Sequence, residues 1–335
     1  MITIKDISKK CGVSVSTVSK VLNGYDEISE ATAELVRKTA RELHYIPNNA
    51  ARLLKTNRSH NIGVLFIDET MCGLTHEYFA TILNGTRDEA EKLGYDITFI
   101  GQNIGEDNLS FLEHCRYRKC DGVVIASVNF ESDQVVELLK SDVPVVTIDY
   151  AFDNGISVMS DNLTGGYSLT RYVLEQGHTK IAVIRGEDTE VTRLRMAGFR
   201  KAMEEFGVPI REEYMMEGIY HDPSSSSQAA KTLMNLEDPP TAIMFPDDYS
   251  YLGGMARLEK MGISIPDEIS VTGYDGIPLA QVLRPRLTTW FQNAEEIGRV
   301  SVQKLIDTIE GDNEGCAEEV LVQGKLLEGN SVKHI

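Results

Sequence analysis

Four hydroxyl side chains stand within six positions, Ser14, Ser16, Thr17 and Ser19, inside the stretch CGVSVSTVSKVLNG at residues 11–24, and Lys20 follows directly. Serine and threonine are mediocre helix formers, so a helix that only had to pack gains nothing from so many. Short donors and acceptors beside a cation suit a surface that meets phosphates and base edges. A second group lies at the ends of apolar runs downstream: Asp68, Asp149, Arg193, Arg195, Tyr220, Asp247 and Asp275. A guanidinium donates in a fork and a carboxylate accepts, so Arg and Asp aimed at one cavity hold vicinal hydroxyls. Tyr78, Phe79 and Tyr220 supply flat apolar faces for the same ligand. On physical grounds this is a polyol or sugar pocket.

The first group needs small helices to present it. In TIKDISKKCG, Thr3 is a helix cap and Ile4, Ile7 and Cys11 repeat at helical spacing, with Gly12 ending the helix. Ser14 caps a second helix from Val15 to Leu22, in which Val18, Val21 and Leu22 point inward and Val15, Ser16 and Lys20 are left outside. A third helix starts after Ser29 and turns Leu35, Val36, Thr39 and Leu43 toward the core. The polar segment that follows, residues 48–60, reads as a linker with a short helical middle.

The second group needs strand ends. From residue 61 onward the chain alternates apolar runs (NIGVLFID, YDITFIG, CDGVVIAS, VPVVTID, KIAVIRG, TAIMFP, ISVTGYD) with amphipathic helical segments. That rhythm specifies parallel sheets covered on both faces, and the strands are too many for one domain. Two lobes follow, with the chain switching near residues 160–162. Such lobes bind ligands at the carboxyl ends of their strands.

Charge divides the chain in the same way. Residues 1–60 hold ten Lys+Arg against six Asp+Glu, a surplus of four, while the whole chain of 335 residues has a net charge of −18. The remaining 275 residues therefore hold −22. A basic head on an acidic body fits a nucleic-acid arm joined to a body that stays off DNA. Four net charges are modest, so two heads acting together, and hence a homodimer, are expected.

TIKDISKKCGVSVSTVSKVLNG, ELHYIPNNAARLLKT and GYDGIPLAQVLRPRLTTW together resemble the LacI/GalR family of bacterial transcription regulators along the full chain. The resemblance implies an all-α helix-turn-helix head joined to an α/β core like the periplasmic binding proteins, two lobes with parallel sheets. It places the DNA-binding domain at 1–47, a hinge helix at 48–60 and the effector core at 61–335. Lobe 1 would take about 61–160 and 291–322, and lobe 2 about 161–290 and 323–335. It assigns Val15, Ser16 and Lys20 to base edges in the major groove and Leu54 to a wedge in the minor groove. Ser14, Ser19, Asn23, Tyr45 and Arg52 would hold phosphates. Arg195, two residues before AGF, and Asp275 of GYD become the principal effector contacts, joined by Tyr220, Arg193, Asp247, Asp149, Tyr78 and Phe79. Two departures bear on the effector: PDD stands at 246–248 where the family favours ND, and the loop DETMCGLTHEYF is longer than usual.

The expectation is a cytoplasmic, homodimeric repressor of carbohydrate-utilisation genes, binding a pseudo-palindromic operator in double-stranded DNA and controlled by a sugar-like effector. A purine corepressor or a phosphoprotein partner is the alternative controller, and an extracytoplasmic sugar carrier the remote one. No run approaches the roughly 18 apolar residues of a membrane span, so no membrane partner is expected. Neither a GxGxxG after the first strand nor a GKS/T loop is present, and no nucleophile arrangement stands out. Catalysis is therefore not expected. His114, Cys115 and Cys120 lack a second ligand cluster, and neither a metal nor a cofactor is read from the sequence.

Overall fold

The computed structural model describes residues 2–22, 25, 27–45, 58–67, 73–104, 107–311 and 317–335. The chain divides into two compact units, residues 1–59 and 60–335. Asn23, Arg52, Leu54, Asp68 and most of the 48–60 linker lie outside the described residues.

Among the described residues of the first unit are α1 (Ile4–Cys11), α2 (Val15–Leu22) and α3 (Glu30–Glu42). Asp6 reaches back to accept from the backbone N–H and the hydroxyl of Thr3, each at 2.8 Å. Gly12 ends α1 in the left-handed region at φ 68°, where a Cβ would be strained. Ser14 Oγ accepts from the Thr17 N–H at 3.0 Å and so caps α2. Ile7, Val18, Val21, Ala33, Val36 and Ala40 are buried at the centre, with Ile4, Cys11, Leu22, Leu43 and Tyr45 half-buried around them. Leu35 departs from expectation at 46% exposure. Ala33, Val36 and Ala40 already occupy the inward stripe at helical spacing, and Leu35 lies a hundred degrees off it.

In the second unit, strands numbered along the chain form two six-stranded sheets and a small hairpin of β3 (Asn103–Ile104) and β4 (Asp107–Asn108). The first sheet joins β1 (Asn61–Phe66), β2 (Asp96–Ile100), β5 (Gly122–Ser127), β6 (Val145–Ile148), β7 (Ile156–Ser160) and β13 (Glu318–Val322). Their order is β13-β7-β6-β5-β1-β2, with every pair parallel. The second joins β8 (Ile181–Arg185), β9 (Met215–Glu217), β10 (Ala242–Met244), β11 (Ser270–Asp275), β12 (Thr288–Phe291) and β14 (Lys325–Leu327). Their order is β14-β12-β11-β10-β8-β9, and only β14 runs antiparallel to its neighbour. The central strands are buried on both faces, the condition that makes them read as unbroken apolar runs. β7, β9 and β12 are not among the strands read from the sequence.

Helices Glu77–Lys92 and Ala294–Glu310 pack together beside the first sheet. Beside the second, Asn162–Glu175 pairs with Glu190–Glu205, and Pro223–Met234 with Asp248–Lys260. Gly253 serves helix packing, since a Cβ there would meet the Pro223 carbonyl oxygen at 1.8 Å. The chain passes between sheets at 160–162, 291–294 and 322–325. Two of these crossings are stitched together: the Asp161 N–H donates to Val322 O at 3.1 Å, and Gln323 Nε2 donates to Asp161 Oδ2 at 3.1 Å.

Candidate functional site

Asn162 starts the helix after the first crossing, and it organises the second lobe's side of the cleft. Its Oδ1 accepts from Arg195 Nε at 2.8 Å and from the Tyr274 hydroxyl at 3.4 Å, while its Nδ2 donates to Ser160 O at 3.1 Å. Arg195 Nη1 donates to Pro246 O at 3.0 Å. The guanidinium carbon lies 3.6 Å from the Tyr274 ring centroid and 5.4 Å from that of Tyr220. Helix glycines make this approach possible: a Cβ on Gly165 would strike the Tyr274 hydroxyl at 2.1 Å, and one on Gly166 the Arg195 carbonyl at 2.3 Å. Burial opposes the charge on Arg195, but the tyrosines and Asp275 hold its pKa above the ordinary value. The guanidinium stays charged, its Nε and Nη1 held by Asn162 and Pro246.

Beside it are two carboxylates and a histidine. Asp247 caps helix Asp248–Lys260, accepting from the Ser250 N–H at 2.7 Å, the Ser250 hydroxyl at 2.7 Å and the His221 N–H at 2.9 Å. Burial raises its pKa, but the His221 charge and these donors prevail and bring it to about 2. His221 is also opposed by burial, and Asp247 carries its pKa above the usual value. Asp275 is pushed up to about 7, first by burial and then by the charge of Asp247. Its Oδ1 accepts from Gln292 Nε2 at 2.6 Å, and its Oδ2 is buried without a hydrogen-bond partner among the described residues. Asp248, the other acid of PDD, is structural: it accepts from the N–H groups of Gly276 and Ile277 and from the Thr289 hydroxyl at 2.8, 2.9 and 2.7 Å.

The first lobe presents rings. His76 and Phe79 meet His221 at 4.1 and 5.4 Å between centroids, and Tyr78 packs on Phe79 at 5.3 Å. The Tyr78 hydroxyl donates to Asp149 Oδ2 at 3.4 Å, and the Ser160 N–H donates to Asp149 Oδ1 at 2.9 Å. Burial raises the pKa of Asp149. A chain of polar contacts thus runs Tyr78–Asp149–Ser160–Asn162–Arg195 across the crossing between lobes. Asp149, His221 and Asp275 all have positive φ, at 55°, 58° and 107°. Such conformations cost energy and cluster where function demands them.

Below Arg195 and Tyr220 lies a largely apolar cavity of about 430 Å³, counting space open to solvent, with Leu169, Val183, Met196, Phe199 and Met244 in its walls. Arg193 does not join this site. Its side chain is 61% exposed and pairs with Asp188 at 3.1 Å and Glu190 at 3.4 Å. Two positions along a helix turn it about 200° from Arg195, onto the solvent side. Asn162, Tyr274, Gln292, His76 and His221 escape sequence reasoning. Only the position of Asn162 at the lobe switch offered a signal.

In the head, Ser14, Val15 and Ser16 are exposed at the start of α2, while Ser19 and Lys20 are half-exposed. Lys20 pairs with Glu27 on the surface. Tyr45 rests half-buried on the head core.

The sequence profile described as "Periplasmic binding proteins and sugar binding domain of LacI family" matches residues 59–328, and the profile "Bacterial regulatory proteins, lacI family" matches residues 3–48. HTH-type transcriptional repressor PurR of Vibrio parahaemolyticus is 32% identical over 341 residues, covering 100% of both chains. The repressor of the same name from Haemophilus influenzae is 32% identical over 342 residues, again covering 100% of each. Among solved structures, the lac repressor dimer bound to operator and the anti-inducer ONPF aligns with a TM-score of 0.76 at 24% identity, covering 99% of each chain. The complex of transcriptional regulator CelR with cellobiose aligns at 0.71 and 25%, covering 99% of this chain and 100% of that one.

Proposed function

This chain belongs to the LacI family of DNA-binding transcriptional regulators, and from that premise we propose that it is a homodimeric repressor whose operator affinity is set by a small ligand between the core lobes. Two heads enter successive major grooves of a pseudo-palindromic operator. Val15, Ser16 and Lys20 read base edges there, and Leu54 of each linker wedges into the minor groove. Ser14, Ser19, Asn23, Tyr45 and Arg52 hold phosphates. The 48–60 linker couples core to head. A ligand acts only through its different affinity for the two lobe arrangements.

The observation that carries the ligand reading is Arg195, a half-buried cation on the Tyr274 face, beside Asp275, whose Oδ2 has no hydrogen-bond partner among the described residues. Between the two effector classes, a purine is favoured over a sugar. A flat heterocycle matches the rings and the apolar walls of the cavity. The full-length relatives named PurR support the same choice. The sugar reading keeps support from the neighbour solved with cellobiose.

A thermal-shift series with purine bases, nucleosides, monosaccharides and disaccharides tests this. A ligand at a hundred times its Kd adds about 2.7 kcal/mol of stability. A purine is expected to give that shift, and Arg195→Ala to abolish it in a chain that remains folded by circular dichroism. An unchanged shift in Arg195→Ala would remove Arg195 from the effector site.

A further inference from the structure

His221, Asp247 and Asp275 each offer a ligand atom, and these atoms all lie within 4.8 Å of one another. His221 Nδ1 stands 3.6 Å from Asp247 Oδ1, beyond the roughly 3.2 Å of an N–H···O bond. Two ligands on one tetrahedral ion, at about 2.0–2.2 Å each, are separated by about 3.3–3.6 Å. The His221–Asp247 pair has the spacing of neighbours in a coordination shell, and the Asp275 ligand atom lies within 4.8 Å of both. Neither His221 Nδ1 nor the buried Asp275 Oδ2 has a hydrogen-bond partner among the described residues, and such atoms are costly to bury idle.

We propose that His221, Asp247 and Asp275 bind one first-row divalent metal ion, of the zinc or cobalt(II) kind, on the second lobe's side of the cleft. Two carboxylates brought together away from water repel each other, and a dication cancels both charges where a proton cancels one. The mixed imidazole and carboxylate donors suit zinc, cobalt or iron better than calcium or magnesium. The carboxylates are already oriented from behind, as ligands of an ion usually are. Gln292 Nε2 donates to Asp275 Oδ1, and the Ser250 N–H and the main-chain N–H of His221 donate to Asp247. The positive φ of His221 and Asp275 shows backbone held out of its comfortable range at two of the three ligands. Three protein ligands leave a coordination position toward the first lobe, where the His76 ring lies 4.1 Å from that of His221. An oxygen or nitrogen of a cleft ligand has access to the ion there. The ion takes the Asp275 oxygen that also marks the effector cleft, so the site rests on that cleft being a ligand site, while its test reads metal instead of DNA.

Full-length protein stripped with a chelator and titrated with Co²⁺ is expected to take up one tight ion per chain, with visible d–d absorption that Zn²⁺ displaces. His221→Gln is expected to lose the band and most of the affinity. Gln292→Leu, which only frees Asp275 to rotate, is expected to weaken binding about 10–100-fold. Circular dichroism checks that each variant folds, and the two substitutions lie on different elements, so either one alone keeps the test decisive. A wild-type chain that takes up no Co²⁺ at equimolar concentration overturns the site. So does a folded His221→Gln or Gln292→Leu protein with unchanged affinity and spectrum.

Discussion

The recognition helix of the head and the cleft of the core handle polar side chains in opposite ways. On α2 the polar groups are exposed and lightly committed: Ser14 caps the helix and Lys20 makes one surface pair with Glu27. Surface pairs of that kind contribute about 0–1 kcal/mol, so exchanging Glu27 for DNA is cheap. In the cleft Asp247 and Asp275 are buried and Arg195 is half-buried, and the three are tied to Ser250, Gln292 and Asn162. There a lost partner leaves an atom without water to replace it. The head's face is built to trade partners. The core's polar groups are built to hold position, and substitutions in the two regions are expected to differ in size and in kind.

The largest effect expected is Asp248→Ala. It strands the Gly276 and Ile277 N–H groups and the Thr289 hydroxyl, at about 1–3 kcal/mol per unsatisfied buried group. Thermal denaturation of the core should register a loss of several degrees or more, and a change within error would dissolve the contrast. Lys20→Ala comes next. It should alter which operator bases are preferred, by about 1–3 kcal/mol at the position read. Arg52→Ala should instead weaken all duplexes alike and reduce the salt slope by about one. Competition among operator variants separates the two.

Ser14→Ala removes the α2 cap and should cost the head about 1 kcal/mol, seen by hydrogen exchange in α2 with the core amides unchanged. The smallest effect is a pH dependence at His178. The ring is buried, with Nδ1 bonded to Thr241 Oγ1 at 2.9 Å and Nε2 to Lys333 O at 3.1 Å. Burial lowers its pKa below the ordinary 6.5. The unfolded chain therefore takes up a proton at a pH where the folded chain does not. The stability from neutral His178 is complete above pH 6.5 and declines as the pH falls below it. Melting points of wild type and His178→Gln between pH 7.5 and 5.5 should converge on acidification, and parallel curves would exclude the effect.

Much of the architecture was legible because it is written in short-range pattern. Alternating apolar runs and amphipathic segments announced parallel sheets, and Ser14, Val18 and Val21 announced α2. The misses have one cause. Leu35 is apolar at a plausible spacing, yet three neighbours already fill the inward stripe, and only packing reveals that. Arg193 and Arg195 are alike in sequence, and the helical rotation between them sends one to solvent and one to the cavity. His221 and Gln292 reach the cleft from loops far apart in the chain, with no local spacing to mark them. Asp247 and Asp248 read as a single departure from the family pattern, but one faces His221 and the other holds the Gly276–Ile277 turn. Side-chain partners of long sequence separation are set by topology, which composition and periodicity do not encode.

The most direct test of the central division of labour is an operator titration of the full-length protein, read by fluorescence anisotropy across a salt series, with and without the ligand found by thermal shift. Tight, salt-sensitive binding to a selected pseudo-palindrome is expected, with affinity changed at least tenfold by ligand in wild type and unchanged by it in Arg195→Ala. Operator affinity indifferent to a ligand that demonstrably binds the core would contradict the account.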